Sequence, residues 1–240
     1  VGGKDDATGF VWARFEYAET SWAYLHLVHD IANTHGLPMS LYSDRHGIFH
    51  VMKEPTIVEQ FQNTAPLTQF GRAIQELGIQ LIKAWSSQAK GRIERHWGFS
   101  QDRLVVELRL AGAKTIEDAN RVLAIFLKEH NKRFTVPPKH RDPMFRKPPH
   151  LHTLNRILCL KETRTVAKDN TISFEGIILQ IPHVKGLRSL ALRKVEVLQL
   201  QDGSIEIQYE AKTVARFNKD AVARLAVQNR NENSQLKRAA

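Results

Sequence analysis

Five of the nine prolines fall at positions 137, 138, 143, 148 and 149, and the spacing of apolar residues changes across them. Before this cluster, short apolar runs alternate with stretches whose apolar residues recur every three to four positions. After it, the repeat is two. A single layered core does not accommodate that change, because helical and strand periods bury different faces. Two bodies are therefore expected. The prolines, interleaved with Lys, Arg and His, read as a stiff, extended linker over residues 134–152.

In the first part, Asp5-Asp6-Ala7-Thr8-Gly9 is a turn signal leading into a strand over 10–15. Thr20 caps a helix from Ser21 to about Thr34, with Tyr24, Leu25, Leu27, Val28 and Ile31 on its buried side and Gly36 as its stop. A strand over 37–44 follows, then a less periodic stretch over 46–64. A helix over 67–77 closes at Gly78, and 79–82 is a short strand. The polar loop 83–89 opens into a long helix over 90–110, and Thr115-Ile116-Glu117-Asp118 starts another that runs to about Lys132. This alternation argues for an α/β sheet covered by helices over residues 1–133.

Beyond the prolines, short runs over 164–167, 171–174, 177–181, 195–200, 205–209 and 213–217 are split by Asp169-Asn170, Glu175-Gly176 and Asp202-Gly203. Several short strands with tight turns predict a small all-β barrel of SH3-like scale over 153–218. A weak helix over 219–227 and a frayed polar tail complete the region 219–240.

The net charge of +10 suits a polyanionic partner. Its distribution is more telling: between Lys128 and Lys168 stand eleven Lys or Arg, four His and only three acids, Glu129, Asp142 and Glu162. Nucleic-acid contact is expected there. No apolar run approaches the ~18 residues of a membrane span. Cys159 is the single cysteine, which leaves no disulfide framework and no zinc cluster and makes a reducing, cytoplasmic setting the expectation.

Two carboxylates stand out. Asp44 ends the strand-like run Leu37-Pro38-Met39-Ser40-Leu41-Tyr42-Ser43-Asp44, and fifty positions later Glu94 lies within Ser87-Gln88-Ala89-Lys90-Gly91-Arg92-Ile93-Glu94-Arg95. A carboxylate at a strand tip and another on a basic helix supply the hard oxygen donors that Mg²⁺ or Mn²⁺ requires. Neighbouring cations would grip the phosphates on either side of the bond attacked. Each residue also has a plainer reading, Asp44 as a turn residue and Glu94 as a solvated helix position. His46 and His50 read as polar loop residues, and Trp12, Trp22, Trp85 and Trp97 as structural aromatics.

The words Tyr-Ser-Asp-Arg-His-Gly-Ile-Phe and Gln-Ala-Lys-Gly-Arg-Ile-Glu-Arg resemble the second and third acidic motifs of DDE-type transposases and retroviral-type integrases, over roughly residues 5–135. The resemblance implies a ribonuclease-H-like core and two divalent ions (Mg²⁺ or Mn²⁺), with Asp44 and Glu94 as the second and third ligands. It further implies DNA contacts from Gln88, Lys90, Arg92, Arg95 and Arg45. The implied reaction is metal-dependent cleavage at a transposon end followed by attack of the freed 3′-hydroxyl on target DNA. Partners would be transposon-end and target DNA and further copies of the chain on paired ends, in a bacterial, nucleoid-associated setting.

Asp5 and Asp6 are poor candidates for the first acidic ligand, since no apolar strand precedes them. In the resembling proteins a similar Asp-Ala-Thr-Gly word lies in the hairpin after the strand that carries that ligand. The first Asp, the central strand and any N-terminal helix-turn-helix region are therefore expected outside this chain. The alternatives are a non-catalytic DNA-binding remnant of a transposase and a structure-specific nuclease on the same fold.

Overall fold

A computed structural model describes the chain except residues 52–55, 58–60, 62–65, 85–102, 141, 143, 184–188 and 240, with backbone alone over 230–239. The chain divides into two compact units, Val1–Ile157 and Leu158–Ala240.

The first unit opens with a hairpin, β1 (Gly2–Lys4) antiparallel to β2 (Val11–Ala13). Its turn is closed by Asp5, whose carboxylate accepts from the Thr8 amide and hydroxyl. Thr20 caps α1 (Ser21–Thr34) as expected, accepting from the Ala23 amide, and Leu25, Leu27, Val28 and Ile31 are buried. Strands β3 (Leu37–Pro38) and β4 (Ser40–Ser43) follow. Helix α2 (Gln69–Glu76), capped by Thr68, leads to β5 (Gln80–Lys83), which lies parallel to β4 with Ser43 opposite Lys83. A strand–helix–strand crossover of this kind is the expected α/β element. Residues 103–110 are helical, and α3 (Ile116–Phe134) begins with a reciprocal capping box between Thr115 and Asp118. Strand β2 pairs with β1 rather than with β4, and β4 pairs with β5. The far edges of β1 and β4 carry no strand partner among the described residues.

The outer edge of β2 is covered by a helix instead of a strand. Asn131 of α3 accepts from the Val11 amide and donates to the Val11 carbonyl, both at 2.9 Å. Asn120 does the same for Phe15, at 2.8 and 3.0 Å. Each side-chain amide thus copies the pairing of a neighbouring strand, satisfying backbone groups that would otherwise be orphaned.

The proline-rich segment is not a free spacer. Strand β6 (Phe145–Arg146) pairs antiparallel with β3, and the Met39 amide donates to the Met144 carbonyl at 3.0 Å. The Phe145 ring packs near Trp12 and His35, and the Arg146 guanidinium donates to the Leu77 carbonyl at the end of α2. Helix α4 (Leu151–Ile157) buries Leu154. The compact unit therefore runs to Ile157, not to the expected boundary near 133. The physical reason is that the extended backbone proline favours is also what strand pairing requires, and Phe145 between the prolines supplies an apolar anchor.

The second unit is a four-stranded antiparallel sheet in the order β12 (Lys212–Phe217), β11 (Ile205–Tyr209), β10 (Lys194–Gln199), β7 (Leu160–Thr165), accompanied by the hairpin β8 (Thr171–Phe174)–β9 (Ile177–Gln180). Alternate residues of both, among them Ile172, Phe174, Leu179, Val195, Val197 and Ile207, form one core. Helix α5 runs from Lys219 to Ala239, longer than expected, with Val222, Leu225 and Ala226 against that core.

The β8–β9 turn has positive φ at Glu175 and Gly176, the two-residue form that matches strand twist. The β11–β12 turn repeats it at Glu210 (49°) and Ala211 (62°), with no glycine. A left-handed alanine is strained, whereas glycine is at ease there but loses more chain entropy on folding. Ala211→Gly is therefore expected to stabilise the second unit by about 0.5–1 kcal/mol. Thermal melting followed by circular dichroism measures this; a lowered midpoint would contradict it.

Candidate functional site

Strands β4 and β5 run parallel and end side by side, with the Ala84 amide donating to the Ser43 carbonyl at 2.8 Å. The carboxyl ends of parallel strands are where α/β proteins present ligand-binding groups. Asp44 is the first residue past β4. Its Oδ1 accepts from the His46 amide at 3.0 Å, a local turn that orients the carboxylate. The His46 carbonyl accepts from the Phe49 and His50 amides at 3.0 and 3.2 Å, winding residues 46–50 into one turn.

Phe49 anchors that turn. It is buried, and its ring meets Tyr24 edge-on at 4.6 Å and Phe70 at 5.1 Å. The Thr68 hydroxyl that caps α2 also donates to the Phe49 carbonyl, at 3.3 Å. The Tyr24 hydroxyl donates to Glu19 at 2.5 Å. Burial holds the Tyr24 phenol above its ordinary value, helped by the bond to Glu19 and by the negative charges of Glu19 and Asp44. On the other side, His50 Nε2 lies 2.9 Å from the Ser43 hydroxyl. Burial lowers the His50 imidazole, Lys83 lowers it further, and Asp44 opposes both. The tip of β4 therefore gathers Asp44, Ser43, His46 and His50, with Lys83 on the adjoining strand.

Of the residues expected at the site, Asp44 stands at the strand tip and Arg45 beside it is exposed. Glu94, Gln88, Lys90, Arg92 and Arg95 lie outside the described residues. Among the described residues, no group of three or more His, Cys, Asp or Glu is gathered to hold a metal. Asp44 presents a hard carboxylate oxygen, the donor type that Mg²⁺ or Mn²⁺ prefers. Sequence reasoning missed the Ser43–His50 bond and the Glu19–Tyr24–Phe49 support. The aromatic one turn beyond Asp44 was the available signal for the second.

Among the described residues, no helix is long and apolar enough to cross a membrane. No protein-family model matches the chain. Two curated relatives do. One, named as transposase y4bF of Sinorhizobium fredii, is 35% identical over 221 residues, covering 90% of this chain and 47% of its own length. The transposase for insertion sequence IS1202 of Streptococcus pneumoniae is 31% identical over 211 residues, covering 87% of this chain and 44% of its own. The chain thus spans a little under half the length of these relatives.

Proposed function

From its membership of the insertion-sequence transposases, over the part of their length that it spans, we propose that this chain carries part of the metal-binding and DNA-contacting machinery of a transposase that cuts and joins DNA strands. The observation that most supports this reading is Asp44, set at the tip of a parallel strand pair on a turn fixed from two sides. Asp44 and Glu94 would hold divalent ions, whose contribution when bound is to stabilise charge on the attacking and leaving oxygens of a phosphodiester. Arg45, with Lys90, Arg92 and Arg95, would neutralise phosphates of the DNA, and Gln88 would approach its terminal bases. In this reading the first unit, Val1–Ile157, belongs to a ribonuclease-H-like core. The second unit, small and all-β apart from α5, would contact DNA together with the basic stretch 128–168. Several copies would act on paired DNA ends.

Binding of a short DNA duplex to the whole chain, measured at two salt concentrations with and without Mn²⁺, tests the proposal. Phosphate contacts release counterions, so affinity should fall steeply between 50 and 200 mM salt, by roughly 10³-fold if about six phosphates are neutralised. Mn²⁺ should strengthen binding, and Asp44→Asn should remove that gain. Salt-insensitive binding would remove the DNA role, and a metal response unchanged in Asp44→Asn would remove the metal role.

A further inference from the structure

We propose that His50 is a positioning residue for Asp44, acting through the hydroxyl of Ser43. Four links form a closed circuit around the carboxylate. Ser43 is bonded covalently to Asp44, Asp44 Oδ1 accepts from the His46 amide, the His46 carbonyl accepts from the His50 amide, and His50 Nε2 returns to the Ser43 hydroxyl at 2.9 Å. The return link is the one that matters. Ser43 belongs to β4, and its carbonyl is fixed by the Ala84 amide, so its side chain is a rigid point immediately before Asp44. Phe49 ties the same turn to the aromatic cluster beneath it. That contact sets how deep the turn sits. The Ser43–His50 bond joins the far end of the turn directly to the strand tip.

A ligand residue has to be held within about 0.5 Å of its productive place, and the groups that hold it are usually one bond removed from the metal. The six-residue connection between Ser43 and His50, exposed at Arg45, His46 and Gly47, does not meet that demand unaided. His50 meets it by turning the connection into a ring. The consequence for metal affinity rests on the reading of Asp44 as a metal ligand, whereas the consequence for the geometry of Asp44 does not.

The test uses the ¹⁵N-labelled whole chain and reads two signals: the His46 amide resonance, which reports the bond to Asp44, and Mn²⁺ affinity by calorimetry. In His50→Ala the His46 amide should move toward its unstructured position and Mn²⁺ should bind about tenfold more weakly. In His50→Gln, whose side-chain oxygen can accept from Ser43, both should return toward the parent values. Ser43→Ala breaks the same bond from the strand side and should repeat the His50→Ala result, which guards against an effect peculiar to the loss of the imidazole. A His46 amide unmoved in both alanine variants would overturn the proposal, as would a Gln variant no better than Ala. If the parent chain and Asp44→Asn bind Mn²⁺ alike, the metal reading fails, and the amide signal still decides the positioning role.

Discussion

Asn131→Ala is expected to destabilise the first unit by about 3 kcal/mol, and Asn120→Ala by about 1 kcal/mol. Asn131 is a polar residue in the core, 8% exposed, and both ends of its amide are spent on Val11. Truncation leaves the Val11 amide and carbonyl unpaired under a helix, and each buried orphan costs about 1–3 kcal/mol. Asn120 and Phe15 are only partly buried, so water can replace the lost partner there. Asn131→Leu should be no better than alanine, because the penalty belongs to the backbone and not to the vacated space. All four tryptophans, at 12, 22, 85 and 97, precede Leu158, where the second unit begins. Urea unfolding followed by tryptophan fluorescence therefore reads this unit alone. A loss below about 1 kcal/mol for Asn131→Ala would mean that water reaches the edge of β2 and that the helix is not its cover.

The same pair of asparagines marks where local pattern stops carrying information. Eleven residues separate them, about three helical turns, so both project from one face of α3. Val11 and Phe15, four apart, present their backbone groups to one edge of an extended chain. The two spacings match, yet the contacts join residues more than a hundred positions apart, and nothing near Asn131 announces its partner. The capping box at Thr115 and Asp118 was legible because donor and acceptor lie within one turn. So were the Thr20 cap and the Glu175-Gly176 turn, for the same reason. The Glu210-Ala211 turn escaped notice because neither residue favours a left-handed backbone, and its conformation is imposed by the two strands it joins. The proline-rich stretch was legible as extended, but not as paired, since an isolated linker and a strand have the same backbone.

The candidate site divides along similar lines. Asp44 could be found because an acidic residue ending an apolar run is a local sign, and β4 does end just before it. His50 could not, because Ser43 ends a strand and no single helix or strand spans the seven positions from it to His50. Only the turn wound on His46 brings the two together. The supporting phenol of Tyr24 reads in the sequence as a plain amphipathic helix residue, and it serves as one while also bonding Glu19 and packing on Phe49.

Gly36→Ala is expected to cost the first unit at least about 3 kcal/mol, from two causes that add. Gly36 follows the end of α1 with φ of 96°, a backbone conformation that disfavours any side chain, and its amide closes the helix on the Ala32 carbonyl. A Cβ at this position would also stand 2.6 Å from the Arg146 carbonyl oxygen. That atom is backbone and cannot swing aside. It belongs to β6, so relief requires β6 to move away from β3, breaking the pairing of Leu37 with Arg146 and of Pro38 with Phe145. Arg146 would then be drawn from the Leu77 carbonyl as well. Gly112 separates the two causes. It has φ of 62°, but a Cβ there would meet nothing within 4 Å among the described residues, so Gly112→Ala should show the conformational cost alone, about 1 kcal/mol. Tryptophan fluorescence in urea reads both variants, and Trp12, packed close to Phe145, should report displacement of β6 in the folded Gly36→Ala protein. Equal losses in the two variants would show that β6 gives way freely, and the segment around Phe145 would then be a loosely held linker after all.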